Sequence, residues 1–308
     1  MQSKKVSIVI PVYNEVRFIN ACINSLLSQS YKNTKITVLD NCSTDGTTEL
    51  IKAQYSNSLT HVVHSKNLGP EKNFDLCINY ASGEYTCIYH SDDEYDPYIV
   101  EKQVNFLEKD KDVAAVFCLA KYINEQGGVI GLQKINFLDA DSSYDFAELL
   151  NLILTNHNFL ICPSLMIRTS ALKDLHHWDW SFKSSADLEM WLRVAMVNKV
   201  GIINEYLISY RVSKKQWSEK IRNRCSRADF FIVANFYINN FQQVISVNSF
   251  NDYFYLKIKD YFVRIKNCKN VLRKKRLFRL FIQTLNSYKT SFYKKTMLIF
   301  LFLFIYVF

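Results

Sequence analysis

No two of the eight cysteines are spaced Cys-x-x-Cys, so the chain carries neither a zinc ribbon nor a dithiol redox motif. Several of them lie inside apolar runs, which reads as reduced, buried thiols of a cytosolic protein rather than a disulfide framework. No secretory leader is expected, because Met1 to Lys5 lead straight into a strand-like run. No long hydrophobic span is present either. The terminal run Met297 to Phe308 has twelve apolar residues, where a bilayer-crossing helix needs about twenty. There is no internal repeat, and no low-complexity segment before the end. What is there is a chain of 308 residues, 49% of them apolar. That is too apolar for disorder and long enough for one large domain or two modest ones.

Charge is unevenly spread. Residues 1–210 carry 18 Lys and Arg against 25 Asp and Glu, a net of −7, while residues 211–308 carry 20 against 4, a net of +16. An acidic part followed by a strongly basic one implies two functions on one chain and a boundary near 211–220.

The acidic part alternates two kinds of pattern. Val6 to Ile10 is a short apolar run ended by Pro11, followed by helical spacing at Phe18, Ile19, Cys22, Ile23, Leu26 and Leu27. Lys35 to Leu39 is a second strand, Thr47 to Tyr55 a helix and Thr60 to His64 a third strand. A helix after Asn67-Leu68-Gly69-Pro70 runs to about Ala81, with Ser82-Gly83 as its cap, and Thr86 to Tyr89 is a fourth strand. This β-α-β-α-β-α-β order predicts a mostly parallel sheet with helices on both faces. Ligands of such sheets bind at the carboxyl ends of the strands, where Pro11 to Glu15, Asp40 and Asp92-Asp93 fall. Further on, Pro97 to Glu108 reads as a helix, Val113 to Leu119 as a strand and Asn124 to Gly128 as a hairpin turn. Phe146 to Leu154 reads as a helix, Leu160 to Ile167 as a buried apolar run, Asp187 to Val197 as an amphipathic helix and Gly201 to Ile208 as a last strand.

The chain turns on Tyr89-His90-Ser91-Asp92-Asp93-Glu94, where an apolar strand runs into clustered carboxylates. Neighbouring like charges repel, and a cation or a solvated turn relieves them. Oxygen ligands of this kind suit Mg²⁺ or Mn²⁺, which hold phosphate oxygens.

Five blocks occur in order: Val6-Ser-Ile-Val-Ile-Pro-Val-Tyr-Asn-Glu15, Asp40-Asn-Cys-Ser-Thr-Asp-Gly-Thr47, Ala81-Ser-Gly-Glu-Tyr85, Ser91-Asp-Asp93 and Asp187-Leu-Glu-Met-Trp-Leu-Arg193. With them the chain resembles the family 2 inverting glycosyltransferases over roughly residues 5–220. The resemblance implies an α/β GT-A fold, a Rossmann-like, mostly parallel central sheet, in a domain spanning about 1–215. It implies that Pro11 and Tyr13 lie against the nucleotide base, with Glu15 beside them among the donor-binding residues. Asp40 would accept a hydrogen bond from a uracil or thymine imide N–H, or be simply a turn-forming Asp. Asn73 would contact the nucleotide or cap its helix. Asp92 would bind the ribose, and Asp93 the Mn²⁺ or Mg²⁺ that bridges the diphosphate and assists its departure. Asp187 would be the general base that takes the acceptor hydroxyl's proton, or else an N-cap. Glu189 is expected to be solvated or to face the acceptor, Trp191 to be core, and Trp178 and Trp180 to stack on a sugar or join the core.

Two departures stand out. His90 occupies a position where many relatives have Asp, and Tyr210-Arg211-Val212-Ser213 ends in Ser where relatives often have His. The first position need not be a ligand, and His90 reads as a local hydrogen-bonding residue; with Ser213 in place of the imidazole, either water completes the metal shell or the cation is held more weakly.

Residues 216–308 read as a basic, aromatic helical region. Leu256, Ile258, Tyr261, Phe262 and Ile265 lie on one helical face, and Arg273-Lys274-Lys275-Arg276 precedes Leu277, Phe278, Leu280, Phe281 and Ile282. Such a pattern suits the anionic inner membrane surface. Interleaved cations and aromatics also suit single-stranded nucleic acid, but no recognised nucleic-acid motif is present and the apolar end favours membrane. The expectation is a peripheral enzyme on the cytoplasmic face that transfers sugar from a UDP- or dTDP-sugar to a glycan or lipid-linked acceptor, with no nucleic acid involved. The alternatives are a polyprenyl-phosphate glycosyltransferase and a catalytically silent sugar-nucleotide binder.

Overall fold

Strand β1 (Val6–Val12) is buried at all seven positions, so the sequence shows an unbroken apolar run there instead of alternation. This is seen in a computed structural model that describes residues 3–213, 228–268 and 271–287. The chain divides into two compact units, Met1–Ser213 and Lys214–Phe308.

In the first unit β1 lies parallel to β2 (Thr34–Asp40) on one side and β4 (Tyr85–Ile88) on the other, with β3 (Thr60–Val63) parallel beyond β2. Helices α1 (Ile19–Leu27), α2 (Thr47–Tyr55) and α3 (Pro70–Tyr80) make the crossovers. Ile19, Cys22, Ile23 and Leu26 of α1 enter the core, the i, i+3, i+4, i+7 stripe of an amphipathic helix. Helix α3 ends at Tyr80, and Gly83, at φ +118°, turns the chain into β4. A Cβ there would come within 2.6 Å of the Lys5 carbonyl oxygen, which itself accepts from Glu84 N, so only glycine fits.

The remaining elements are β5 (Glu94–Tyr95), α4 (Ile99–Lys109), β6 (Val113–Ile123), β7 (Val129–Leu132), β8 (Ser142–Tyr144), α5 (Phe146–Asn156), β9 (Met166–Arg168), α6 (Thr169–Asp174), α7 (Ala186–Ala195) and β10 (Lys199–Arg211). The sheet order is β3-β2-β1-β4-β9-β6-β10-β5, with β7 on β6 and β8 on β10. Strands β3, β2, β1, β4, β6 and β10 point one way, so the expected mostly parallel α/β sheet is present.

Three expectations change in detail. The run Leu160 to Ile167 is not continuous: a 3-10 turn at Cys162–Ser164 precedes β9, which enters antiparallel between β4 and β6. Pro163 has no N–H to give a ladder, so the strand starts after it. Pro97 does not open α4, because Asp96 takes the N–H groups of Tyr98 and Ile99 first and the helix begins at Ile99. Glu189 is not solvated. It is buried in α7 and pairs with Arg193 one turn on, at 2.8 Å, because α7 is packed on nearly every side.

The second unit holds α8 (Ala228–Asn240), α9 (Val247–Asn267) and α10 (Val271–Ser287). Phe254, Ile258 and Ile265 of α9 pack with Leu277 and Phe281 of α10, so these helices do have an apolar face. Leu272, Lys274, Lys275, Arg276, Phe278 and Leu280 are exposed. No helix among the described residues is long and apolar enough to cross a membrane. The terminal run Met297 to Phe308 and Lys294-Lys295 lie outside the described residues.

Candidate active site

The loops after β1, β2 and β3 are stitched together before any ligand arrives. Asn14 adopts φ 56° and Cys42 φ 65°, and these left-handed turns bring the first two loops face to face. Asn14 N donates to Ser43 Oγ at 3.0 Å, Thr44 N to Asn14 Oδ1 at 2.8 Å, Glu15 N to Thr47 Oγ1 at 3.0 Å and Val16 N to Asp45 Oδ2 at 3.1 Å. The Asn41 carboxamide ties in the third loop, accepting from Leu68 N at 2.8 Å and donating to the Gly69 carbonyl at 3.1 Å. Tyr13 remains 43% exposed. Pro11 is buried within β1, in register with Leu39.

Asp40 has no exposed surface. Its Oδ1 accepts from Ser43 N at 2.9 Å, its Oδ2 accepts from Thr48 Oγ1, and His61 Nε2 lies 3.4 Å away. Burial works to raise its pKa, but His61, Thr48 and Ser43 outweigh it and hold the carboxyl at about 2. Asp40 is therefore a permanent acceptor. Asn73 is neither a cap nor at the surface: it is buried inside α3. It donates to the Leu39 carbonyl at 3.2 Å and faces His64 Nε2 at 3.2 Å, bracing the end of β2.

At the end of β4 the acidic cluster is organised by Arg211, the last residue of β10. Asp93 is 1% exposed, and its Oδ1 accepts from Arg211 N at 2.8 Å. The Arg211 guanidinium donates to the Asp92 carbonyl at 2.8 Å and the Asn124 carbonyl at 2.9 Å, pairs with Glu94, and lies 4.7 Å from the Phe18 ring centroid. Burial and then the Asp92 charge push the Asp93 carboxyl well above the usual range, against Arg211, with Glu15 adding a smaller push the same way. Ligand atoms of His90, Asp92 and Asp93 all lie within 4.8 Å of one another, and Asp93 Oδ2 is buried with no hydrogen-bond partner. An orphaned carboxylate oxygen in a crowd of acids fits a divalent cation. Ser213 is buried two residues beyond Arg211.

Asp187 stands apart from this cluster, at the second position of α7, after Ser185 as N-cap. It is thus not the cap itself. Its Oδ1 accepts from Leu188 N at 2.7 Å, and burial pushes its pKa up to about 6 against that hydrogen bond. The segment before it is anchored by aromatics. Trp180 donates from Nε1 to both oxygens of Asp75 at 3.1 Å. Trp178 is core, stacked on Trp180 at 6.1 Å and edge-on to Trp191 at 5.4 Å. Cys162 connects the two acidic regions electrostatically: its thiol is pushed up first by burial, then by the charges of Asp187 and Asp93.

The structure thus gathers Asp92, Asp93 and His90, places Glu15 within reach of Asp93's field, and keeps Asn73 as a brace. Sequence reasoning did not foresee Arg211 as the residue that seats the acids. The signals were its place at the end of the last strand and in the block Tyr210-Arg211-Val212-Ser213.

Residues 7–176 match the family described as glycosyl transferase family 2; Asp187 lies beyond that match. An uncharacterised glycosyltransferase of Methanocaldococcus jannaschii is 29% identical over 220 residues, covering 70% of this chain and 73% of its own length. Chondroitin synthase of Pasteurella multocida is 27% identical over 279 residues, covering 86% of this chain and 27% of its own. Among solved structures, S. aureus TarS 1-349 in complex with UDP-GlcNAc has a TM-score of 0.58 at 19% identity, over 94% of this chain and 77% of its own. A mannosyltransferase from Pyrobaculum calidifontis in complex with GDP-Man and Mn²⁺ has a TM-score of 0.60 at 14% identity, over 100% of this chain and 82% of its own. The sheet is that of the GT-A fold, and the chain belongs to glycosyl transferase family 2.

Proposed function

We propose that the chain is an inverting transferase moving a sugar from a UDP- or dTDP-sugar to a hydroxyl of a glycan or lipid-linked acceptor in surface polysaccharide synthesis. The observation that carries this reading is the division of labour among carboxyls: a fixed acceptor (Asp40), a buried pair with an orphaned oxygen (Asp92, Asp93), and a separate carboxyl raised to about 6 (Asp187). The structural neighbours in complex with UDP-GlcNAc or GDP-Man and Mn²⁺ support a nucleotide-sugar donor.

Tyr13 stacks on the base, with Pro11 behind it in β1. Asp40, ionised and so without a donor of its own, accepts the imide N–H once residues 43–48, which cover it, shift aside, since it has no exposed surface. Asp92 takes the ribose hydroxyls, and Asp93 holds Mn²⁺ or Mg²⁺ with Glu15 nearby. When bound, such an ion stabilises charge on the departing diphosphate. Asp187 accepts the proton of the acceptor hydroxyl as its oxygen bonds C1 and the C1–phosphate oxygen bond breaks. With a pKa of about 6 it is a stronger base than an ordinary aspartate, yet ionised at neutral pH. The exposed cations and apolar residues of α10 support a peripheral place on the cytoplasmic membrane face.

The test is donor turnover across UDP-, dTDP- and GDP-sugars, each with Mn²⁺, with Mg²⁺ and with chelator, on wild type and Asp93→Ala. Metal-dependent release of one nucleoside diphosphate, lost in the variant, is the expected result. No metal-dependent binding of any of these nucleotides by calorimetry would overturn the reading.

A further inference from the structure

One imidazole in the acidic cluster has no part in the roles above. His90 follows β4 two residues before Asp92, its ring edge-on to Phe74 with centroids 5.5 Å apart. Its Nε2 is buried and has no hydrogen-bond partner, like Asp93 Oδ2. Two orphaned polar atoms in one small cluster are unusual, since buried polar groups nearly always find partners.

The spacing supplies a reason for both. A first-row divalent ion bonds imidazole nitrogen or carboxylate oxygen at about 2.0–2.2 Å, so donors facing each other across it stand roughly 4.2 Å apart. The ligand atoms of His90, Asp92 and Asp93 are already within 4.8 Å of one another, and small side-chain rotations close the difference. Arg211 N fixes Asp93 Oδ1, which leaves Oδ2 as the coordinating atom of a side chain that is 1% exposed.

We infer that His90 is itself a ligand of the divalent cation, an imidazole beside the Asp93 carboxylate, with Asp92 next to them on the ribose side. This rests on the reading of Asp93 as a metal ligand. It has a consequence for metal choice. Mg²⁺ takes oxygen donors and parts reluctantly with its water; Mn²⁺ also favours oxygen, but as a first-row transition ion it accepts a nitrogen donor more readily than Mg²⁺ does. The site therefore prefers Mn²⁺ to Mg²⁺, and the preference resides in His90.

The experiment uses the full chain without a histidine tag, stripped of metal and titrated with Mn²⁺ in the presence and absence of UDP. Electron spin echo modulation of the bound Mn²⁺ reads directly coordinated nitrogen. Wild type shows nitrogen modulation. The His90→Gln variant lacks it and binds Mn²⁺ at least about tenfold more weakly, while its Mg²⁺ affinity changes less. The His90→Asp variant, with an all-oxygen site, narrows the Mn²⁺ over Mg²⁺ ratio. The wild-type spectrum stands whether or not a variant folds, and circular dichroism checks the variants. Bound Mn²⁺ without nitrogen modulation in wild type overturns His90 as a ligand and leaves the transferase reading intact. No Mn²⁺ binding, with or without UDP, overturns both.

Discussion

Replacing Asp187 by Asn should make the protein more stable at pH 7.5 and nearly inactive. In the folded chain burial lifts this carboxyl from 3.8 to about 6, and the hydrogen bond from Leu188 N only partly opposes it. Unfolding returns it to its ordinary value. The shift of about two units corresponds to an upper figure of about 3 kcal/mol. Because the side chain is only half-buried, solvent screening reduces the expected cost to about 1–3 kcal/mol. Between about pH 4 and 6 the native state holds the extra proton, so stability falls as pH rises through that window and stays low above it. Below it both states are protonated and the cost is absent. The Asp187→Asn variant keeps an acceptor for Leu188 N and cannot ionise, so its stability should be flat over the window. Guanidinium unfolding of both proteins at pH 4 and pH 7.5 measures this. Transfer activity of the variant should fall by about 10²- to 10⁴-fold, and wild-type kcat/KM should rise with pH through an inflection near 6. A variant that is destabilised equally at both pH values would show that the carboxylate has a native partner, and the argument for a poised base would fail. Undiminished transfer would remove Asp187 from the chemistry.

The Arg211→Ala variant leaves Glu94 unpaired and the Asp92 and Asn124 carbonyls without their donor. Glu94 is 39% exposed and can be solvated, so the cost is that of the orphaned carbonyls, about 1–3 kcal/mol of unfolding stability, and metal-dependent UDP binding should be abolished; calorimetric affinity equal to wild type would show that the acidic loop holds itself. Asp40 is held at about 2, so its contribution, about 2 kcal/mol, is present above pH 4 and lost as pH falls through 2. The Asp40→Asn variant should be less stable at pH 7 and lose less on acidification, measured by urea midpoints across that range. Cys42 sits at φ 65°, where a side chain is strained. The Cys42→Gly variant should unfold with a free energy up to about 1 kcal/mol higher and bind nucleotide unchanged; a lower melting temperature would refute the strain.

Much of this protein is settled by local pattern. Buried strands such as Val6–Val12 announce themselves as apolar runs, α1 as a 3.6-residue stripe, and the loops at strand ends as the acidic and Asn-rich blocks between them. Hydrophobicity and its period are properties of a short window of chain, so the fold and the stretches that bear chemistry can be read there. Partnership is different. Arg211 meets Asp93 across 118 residues of sequence, Trp180 meets Asp75 across 105, and β9 slips antiparallel between β4 and β6. Asn73 looked equally fit for a nucleotide contact or a helix cap, and the structure puts its amide on the end of β2 inside the helix; Glu189 looked solvated or acceptor-facing until α7 was packed around it. Which polar atoms find a partner, and which are left over as Asp93 Oδ2 and His90 Nε2 are, depends on the order of strands in the sheet. Only the tertiary structure decides that, because hydrogen bonds and desolvation act between groups that the chain brings together from far apart.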